Sequence, residues 1–189
     1  MKNNFLGFLI LFIFFNLNVS ANQFIFETKE IEIVDSGNII YAKDGTAKSS
    51  DGLLKIIAQN FEYNKTLDVL KAMNGVAFIE SNNLEIEFNK AIFDQNNLTI
   101  LINGDVKIIE RKKNLVIETE TVNYDRNLNI FKSSTEAIYK DKNNNILKTK
   151  NFEYDKNKNI LKIKDATLKD LNQNIYNIDL AYINTVSNK

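Results

Sequence analysis

Two pairs of glutamates have the residue type and the spacing that acid–base chemistry needs. Glu85 and Glu87 are two positions apart, as are Glu118 and Glu120, and on a β-strand two such side chains share one face. A pair of this kind could act as a general acid and a general base. Apolar residues alternate with both pairs, however, so the sequence predicts that these carboxylates line the solvent face of an antiparallel sheet.

Other catalytic and metal-ligating side chains are scarce. The chain of 189 residues contains no His and no Cys, which removes the common catalytic base, the thiol nucleophile and the usual ligands of transition metals. Its 24 basic residues balance 24 acidic ones, and no basic stripe favours a nucleic acid. We therefore expect a protein that is not an enzyme and that has no cofactor, no resident metal ion and no nucleic-acid partner.

The remaining charged motifs are short. Asp94, Asp125 and Asp155 each follow an aromatic residue, but a calcium loop needs several closely spaced carboxylates and a glycine. Each aspartate is better explained as the side chain that closes an Asx turn. The basic cluster Arg111–Lys113 lies between two predicted strands, and we expect a solvated hairpin loop there, with an anionic headgroup as the alternative partner.

The elements that must position these residues are strands arranged in a repeat. In the stretch 84–106, apolar and polar residues alternate from Leu84 to Phe88, and the phase then shifts by one position before Ala91. Alternation with period two predicts strands with one buried face. An aromatic residue followed by a polar turn recurs at intervals of 30, 31 and 30 residues, at Tyr63, Phe93, Tyr124 and Tyr154.

A fixed interval of this length is typical of a repeat architecture. The phase shift recurs in most units, which predicts a β-bulge at the same place in each and strand pairs that all bend alike. Stacked bent hairpins would form a trough or a flattened barrel. We interpret Asp44-Gly45 and Asp51-Gly52 as hairpin signals and the segment 103–105 as a further turn.

The N-terminal segment 1–21 has the features of a cleavable signal peptide. A basic Lys2 precedes an apolar run from Phe5 to Phe15, and Ala21 ends a small-residue cleavage motif. The run is too short to span a bilayer. No linker divides the rest, so residues 22–189 are predicted to form one domain that works outside the cytoplasm, with the segments 24–26 and 31–33 as its first strand pair.

Several motifs carry a family resemblance. Residues 58–63 fit the pattern A-x-x-x-x-Y, residues 72–76 follow with A-x-x-G-V, and the segments 24–33 and 102–106 resemble further elements. On these motifs the chain is similar to the OstA-like (organic solvent tolerance) domain family, which includes the lipopolysaccharide transport proteins LptA and LptC and the N-terminal part of LptD. The resemblance covers nearly all of residues 22–189.

The resemblance implies a fold, a ligand and a compartment. The expected fold is all-β: an antiparallel, twisted, partly open β-jellyroll built from repeats of about 30 residues. Family members hold the acyl chains of lipid A inside this jellyroll, in the periplasm, and pass lipopolysaccharide from the inner to the outer membrane. The alternation of the strands then assigns a lipid-binding set of inward residues: Ile56, Phe61, Phe78, Ile86, Phe88, Phe93, Ile100, Ile102, Ile108, Ile117 and Tyr124. The sequence leaves open whether they line a groove or fill a closed core.

The resemblance also implies partners. Family members pair their edge strands head to tail, which predicts a homo-oligomer and contacts with other Lpt bridge components. The last strand, at 175–183, contains no Lys, no Pro and no phase shift, and so lacks the features that normally block edge pairing. The predicted edge residues are Phe24, Phe26, Tyr176, Ile178, Leu180 and Tyr182.

Three alternatives remain open at this point. The chain could be the N-terminal periplasmic domain of an LptD-type outer-membrane assembly protein. It could be a secreted β-solenoid enzyme or glycan-binding module, which clustered carboxylates on a concave face or a row of exposed aromatics would favour. It could also be a purely structural scaffold of the cell envelope, which a tightly closed apolar core would favour.

Overall fold

The computed structural model describes residues 24–79, 83–140 and 145–186; the predicted signal peptide at 1–21 lies outside them. The strands form one antiparallel sheet whose order follows the sequence, except that the short strands β8 and β9 share one position between β7 and β10. The all-β antiparallel prediction is therefore confirmed. The strands are β1 Phe24–Val34, β2 Ile39–Ser49, β3 Leu54–Asn64, β4 Val69–Ile79, β5 Leu84–Asp94, β6 Thr99–Glu110, β7 Leu115–Asp125, β8 Ile130–Ser133, β9 Ala137–Lys140, β10 Ile146–Asp155, β11 Ile160–Lys169 and β12 Ile175–Asn184.

Each of the ten long strands changes its buried face once, near its middle. In β3, Leu54 and Ile56 are buried, and after the change Phe61 and Tyr63 are buried. The pairing with β4 nevertheless runs in one register along its whole length. The prediction of a β-bulge in every unit is wrong, because both strands change face at the same rung and no extra residue is inserted.

A left-handed residue lies at the change of face in four of the strands. Asp44, Asn74, Asp105 and Asp165 have φ of 48°, 51°, 48° and 49°, and they lie on β2, β4, β6 and β11 at matching positions. We call this row the kink line. A true bulge occurs in β6, where the register shifts on both sides of the strand and Gly104 also has positive φ.

The kink line corrects three sequence predictions. Asp44-Gly45 lies in the middle of β2 and the segment 103–105 lies inside β6, so neither is a hairpin turn, whereas Asp51-Gly52 does join β2 to β3. The segments 24–26 and 31–33 are the two halves of one strand, β1. A left-handed residue followed by glycine suits a mid-strand kink as well as a turn, so the local sequence does not distinguish them.

The last strand, β12, also changes face, contrary to the prediction. Ile178, Ala181 and Ile183 pack against the core, and they are opposite the buried Ala166, Ile163 and Leu161 of β11. The inward residues Ile178 and Ala181 are three positions apart instead of two, although the pairing with β11 keeps one register. Apolar side chains on both faces, such as Leu180 beside Ala181, hide the shift in the sequence.

Five stacked hairpin turns form a row along one margin of the sheet. Asp94, Asp125 and Asp155 each accept a hydrogen bond of 2.9 Å from the backbone N–H three residues on, so their predicted Asx turns are confirmed. Successive turns are joined by backbone bonds, such as that from the N–H of Gln95 to the carbonyl of Asp68 at 3.1 Å.

The sheet folds along the kink line into two facing layers. Layer A ends in the hairpin turns 35–38, 65–68, 95–98, 126–129 and 156–159, and layer B ends in the turns 50–53, 111–114 and 170–174. Rings from opposite layers touch, because Phe26 of layer B lies 5.8 Å from Phe61 of layer A. The apolar core therefore lies between the layers. We call the line along which the turns of layer A meet the turns of layer B the seam.

Candidate lipid-binding interior and its seam

Ten of the eleven predicted inward residues lie between the layers. Their side chains are 4% exposed or less, and they come from β3, β5, β6 and β7. These ten are Ile56, Phe61, Ile86, Phe88, Phe93, Ile100, Ile102, Ile108, Ile117 and Tyr124. The interior is filled by its own side chains, so the described residues present a packed core between the layers.

Phe78 corrects the predicted inward set. It is half-buried on the outer face, where the ammonium of Lys55 lies 5.8 Å from its ring centroid. Its neighbours Ala77 and Ile79 are the buried residues, because the face change at Asn74 moves odd positions inward in this half of β4. The sequence at 72–76 carries the family motif and does not by itself indicate that change of face.

An aromatic stack that the sequence prediction only partly found lines the interior. The rings of Tyr124 and Phe131 are parallel with centroids 3.9 Å apart, and Phe131 lies 6.1 Å from the ring of Tyr154. Tyr124 and Tyr154 belong to the 30-residue ladder. Phe131 is on the short strand β8, where the alternating pattern is too brief to assign a face.

The interior becomes more polar beside the interrupted strand. Thr119, Ser133 and Thr149 are buried, and Thr119 occupies on β7 the position that Phe88 has on β5. Their hydroxyls replace backbone partners that the break between β8 and β9 removes: Thr119 donates to the carbonyl of Glu136 at 2.8 Å. These hydroxyls are satisfied within the sheet, and they stabilise the break without forming a reactive site.

The carboxylate pairs lie on the outer face, as the sequence predicts. Glu85 is opposite Phe78, and Glu118 is opposite Ile138 and 3.3 Å from the ammonium of Lys140. Among residues 24–79, 83–140 and 145–186, no group of three or more acidic side chains could hold a metal ion. In the same residues, no helix is long and apolar enough to cross a membrane.

A buried polar cluster joins the layers at the seam. Glu110 ends β6 in layer B, and its carboxylate accepts a hydrogen bond of 2.5 Å from the hydroxyl of Tyr154 in layer A. The ammonium of Lys113 lies 2.8 Å from both the Glu110 carboxylate and the Tyr154 hydroxyl. Burial, and then the hydrogen bond to Glu110, raise the pKa of Tyr154 far above its ordinary value. We call these three residues the clasp.

The clasp revises the interpretation of the basic cluster Arg111–Lys113. The segment does join two strands, as predicted. Arg111 is largely exposed and pairs with Glu85, whereas only 14% of the Lys113 side chain is exposed. The cluster is therefore not a uniformly solvated loop, because Lys113 points into the seam.

Two further contacts hold the seam closed. The guanidinium of Arg126, in a layer A turn, donates to the buried amide oxygen of Gln95 at 2.6 Å and lies 3.9 Å from the carboxylate of Asp51 in a layer B turn. The rings of Phe24 and Tyr63 meet edge to face at 5.4 Å. In each contact the layer B residue meets a layer A residue from later in the sheet: β1 meets β3 at Phe24 and Tyr63, and β6 meets β10 at the clasp. The two layers are therefore offset along the sheet.

This offset leaves inner surface uncovered at both ends of the sheet. In β1, Ile31 and Ile33 are on the same face as the buried Ala42 and Ile40, yet they are 55% and 58% exposed. They belong to layer A. In β12, the uncovered inner residue is Tyr176 of layer B, which is 49% exposed and opposite Leu168.

The predicted edge residues divide between the two faces. Tyr176 and Ile178 lie on the inner face, and Leu180 and Tyr182 lie on the outer face, exposed to solvent. Phe24 is buried and Phe26 is half-buried in the core. Within the part of the chain that the structure describes, β1 pairs with β2 alone and β12 with β11 alone, so both strands have a free edge.

Comparison with known proteins shows the fold. No family model matches the sequence, and no curated protein matches it. The all-β sheet folded on itself belongs to a jellyroll-like class of folds. A solved structure of this class is LptH of Pseudomonas aeruginosa, described as the LptA-homologous periplasmic component of the conserved lipopolysaccharide transport device. The similarity has a TM-score of 0.50 at 12% sequence identity, and it covers 58% of this chain and 80% of that one.

Proposed function

We propose that this protein is a periplasmic carrier that holds the acyl chains of a lipopolysaccharide-type glycolipid between its two layers and forms part of a bridge from the inner to the outer membrane. The observation that carries the proposal is the apolar interior of a folded sheet with the LptH-type fold. The bridge, the glycolipid lipid A and export by a cleavable signal peptide are parts of the same proposal.

The energetics suit such a ligand. Transfer of an acyl chain into an apolar interior is worth about 0.8 kcal/mol per CH₂ group, so several chains supply ample affinity without a charged contact. The interior side chains would move apart to admit them. Long Ile and Phe side chains, such as Ile102 and Phe88, would exchange contacts with one another for contacts with the lipid.

A photo-crosslinking experiment tests this proposal. A crosslinking amino acid at Phe88 or Ile102, inside the layers, should capture a glycolipid in cells. The matched control is Glu87, which neighbours Phe88 on the same strand but lies on the other face of the sheet. Capture at Glu87 with none at Phe88 or Ile102 would show that lipid does not enter the interior.

The free edges support a proposal on assembly. The uncovered inner surface belongs to layer A at β1 and to layer B at β12. If β12 of one copy paired with β1 of the next, each uncovered layer would face its missing counterpart. Such head-to-tail pairing propagates and does not close, which suits an oligomer or a bridge with other Lpt components.

The filled interior favours one competing function. A cell-envelope scaffold would need no ligand, and the tight packing of residues such as Ile56, Ile86 and Ile108, which are fully buried, is what a scaffold requires. The crosslinking experiment separates the two functions, because a scaffold captures no lipid from any inner position.

A further inference from the structure

We propose that the clasp of Glu110, Lys113 and Tyr154 is the gate through which an acyl chain reaches the interior. This inference rests on the proposed function in one respect, namely that the entering molecule is an acyl chain. The packed interior motivates it, because a chain can enter only where the two layers separate along the seam.

The seam contacts differ in what their opening costs. Where Phe24 meets Tyr63, separation exposes apolar ring surface to water, which is unfavourable. At the clasp, separation returns a carboxylate, an ammonium and a hydroxyl to water. Glu110 and Lys113 both belong to layer B and remain paired when the seam opens, so opening exchanges only the hydrogen bonds of the Tyr154 hydroxyl for hydrogen bonds with water, at a small net cost. The seam therefore opens most readily at the clasp.

The position of the clasp also connects it to the interior. The ring of Tyr154 belongs to the stack with Phe131 and Tyr124, so movement of its hydroxyl away from Glu110 moves a wall of the interior. The Arg126 contact lacks this connection, since it joins hairpin turns through Gln95 and Asp51 at the ends of the layers. The arrangement makes Tyr154 both the latch of the gate and part of the surface that an acyl chain meets first.

Hydrogen exchange of the protein alone tests the gate. The variants Glu110→Gln and Tyr154→Phe weaken the clasp, and Glu62→Gln is the matched control, because Glu62 pairs with Lys71 at 2.7 Å within one layer on the outer face. Loss of the cross-seam bonds should speed amide exchange at the end of β6 and in the 152–155 segment of β10 by about tenfold, with β3 and β4 unchanged. Equal rates in the two clasp variants and in Glu62→Gln would overturn the gate.

Tyr154→Phe keeps this test decisive if Glu110→Gln does not fold. The phenylalanine preserves the ring stack and the Glu110–Lys113 pair, and it removes only the hydroxyl. A folded Tyr154→Phe protein with parental exchange at β6 and β10 would by itself refute the proposal.

The rate of lipid entry provides the second measurement. The probe is hexadecanoic acid labelled with nitrobenzoxadiazole, whose fluorescence rises in an apolar environment. Its entry should be about tenfold faster in the clasp variants than in the parent or in Glu62→Gln, and equal rates in all four proteins would contradict the gate. If the parent takes up no probe while the exchange rates differ as expected, the carrier function fails and the clasp stands as the opening point of the seam.

Discussion

At the scale of single residues, two of the four kink-line positions combine a left-handed residue with a glycine that follows it. Asn74 takes the left-handed conformation, with φ of 51°. Gly75 follows it and is needed for space, because a Cβ there would lie 2.4 Å from the carbonyl oxygen of Ile57 and 2.7 Å from the Cβ of Ala58. Gly45 has the same role after Asp44, with Glu27 as its close neighbour.

This combination predicts a large effect for Gly75→Ala. The added methyl group forces β3 and β4 apart at the kink, and we expect a loss of about 2 kcal/mol in the free energy of unfolding in urea. Gly52→Ala is the comparison, because Gly52 has φ of 70° but nothing within 4 Å of its Cβ position; it should cost about 1 kcal/mol from backbone strain alone. Equal stability of Gly75→Ala and the parent would mean that the strands are not so close.

Residue-level prediction from the sequence succeeded for the interior and failed for the seam. Alternation predicts the inward position of ten of the eleven residues, and it fails at Phe78 because the left-handed Asn74 reverses the faces of β4. Nothing local could reveal the clasp. Glu110 and Tyr154 are 44 positions apart. A single acidic residue at the end of a strand, such as Glu110, is the pattern of a solvent-exposed side chain as much as of a buried one.

At the scale of elements, the hairpin turns of layer A are the most uniform part of the fold. Asp94 accepts bonds from the backbone N–H and the side-chain amide of Asn97, at 2.9 and 2.7 Å. The backbone bond and then the side-chain bond lower the pKa of Asp94. Such turns are predictable because the capping residue, the turn and both flanking strands are contiguous in the sequence. Asp44-Gly45 has the same local chemistry but lies inside β2, so the dipeptide alone does not predict a turn.

Replacement of Asp94 by Ala should destabilise its turn by about 1 kcal/mol at pH 7, because two hydrogen bonds are lost. Since the folded protein lowers the pKa of Asp94, the stabilisation by its carboxylate is present above the ordinary value of about 3.9 and disappears as the pH falls through the lowered folded value. The difference between parent and Asp94→Ala should therefore shrink in acid. Urea unfolding at several pH values measures it.

Asp94→Asn is the control for this turn. Its amide oxygen still accepts the backbone N–H of Asn97 but does not titrate, so it should recover most of the stability at pH 7. A constant difference between parent and Asp94→Ala from pH 7 to pH 2 would show that the carboxylate does not support the turn.

At the scale of the whole molecule, the offset between the layers makes the two ends of the sheet complementary. Repetition in the sequence predicted a stack of hairpins, but not the offset, which depends on how far the sheet twists between one seam contact and the next. The consequence is an uncovered layer A at β1, with Ile31 and Ile33, and an uncovered layer B at β12, with Tyr176.

The double substitution Tyr176→Lys with Leu180→Lys tests whether β12 docks a neighbour. These side chains occupy the inner and outer faces of the free edge and are 49% and 48% exposed, so the variant should remain folded. Two lysines on an edge strand oppose pairing with another strand. We expect the parent to form concentration-dependent oligomers in native mass spectrometry and the variant to remain monomeric at the same concentrations.

Leu101→Lys is the matched control, because Leu101 is similarly exposed on the outer face but lies on β6, which has a partner on each side. That variant should assemble like the parent. An edge variant that oligomerises like the parent would show that β12 is not the docking edge. A Leu101→Lys protein that loses its oligomers would show that assembly uses the outer face of the sheet. Pairing at the edge would be affected by a lysine on β12 but not by one on the internal strand β6.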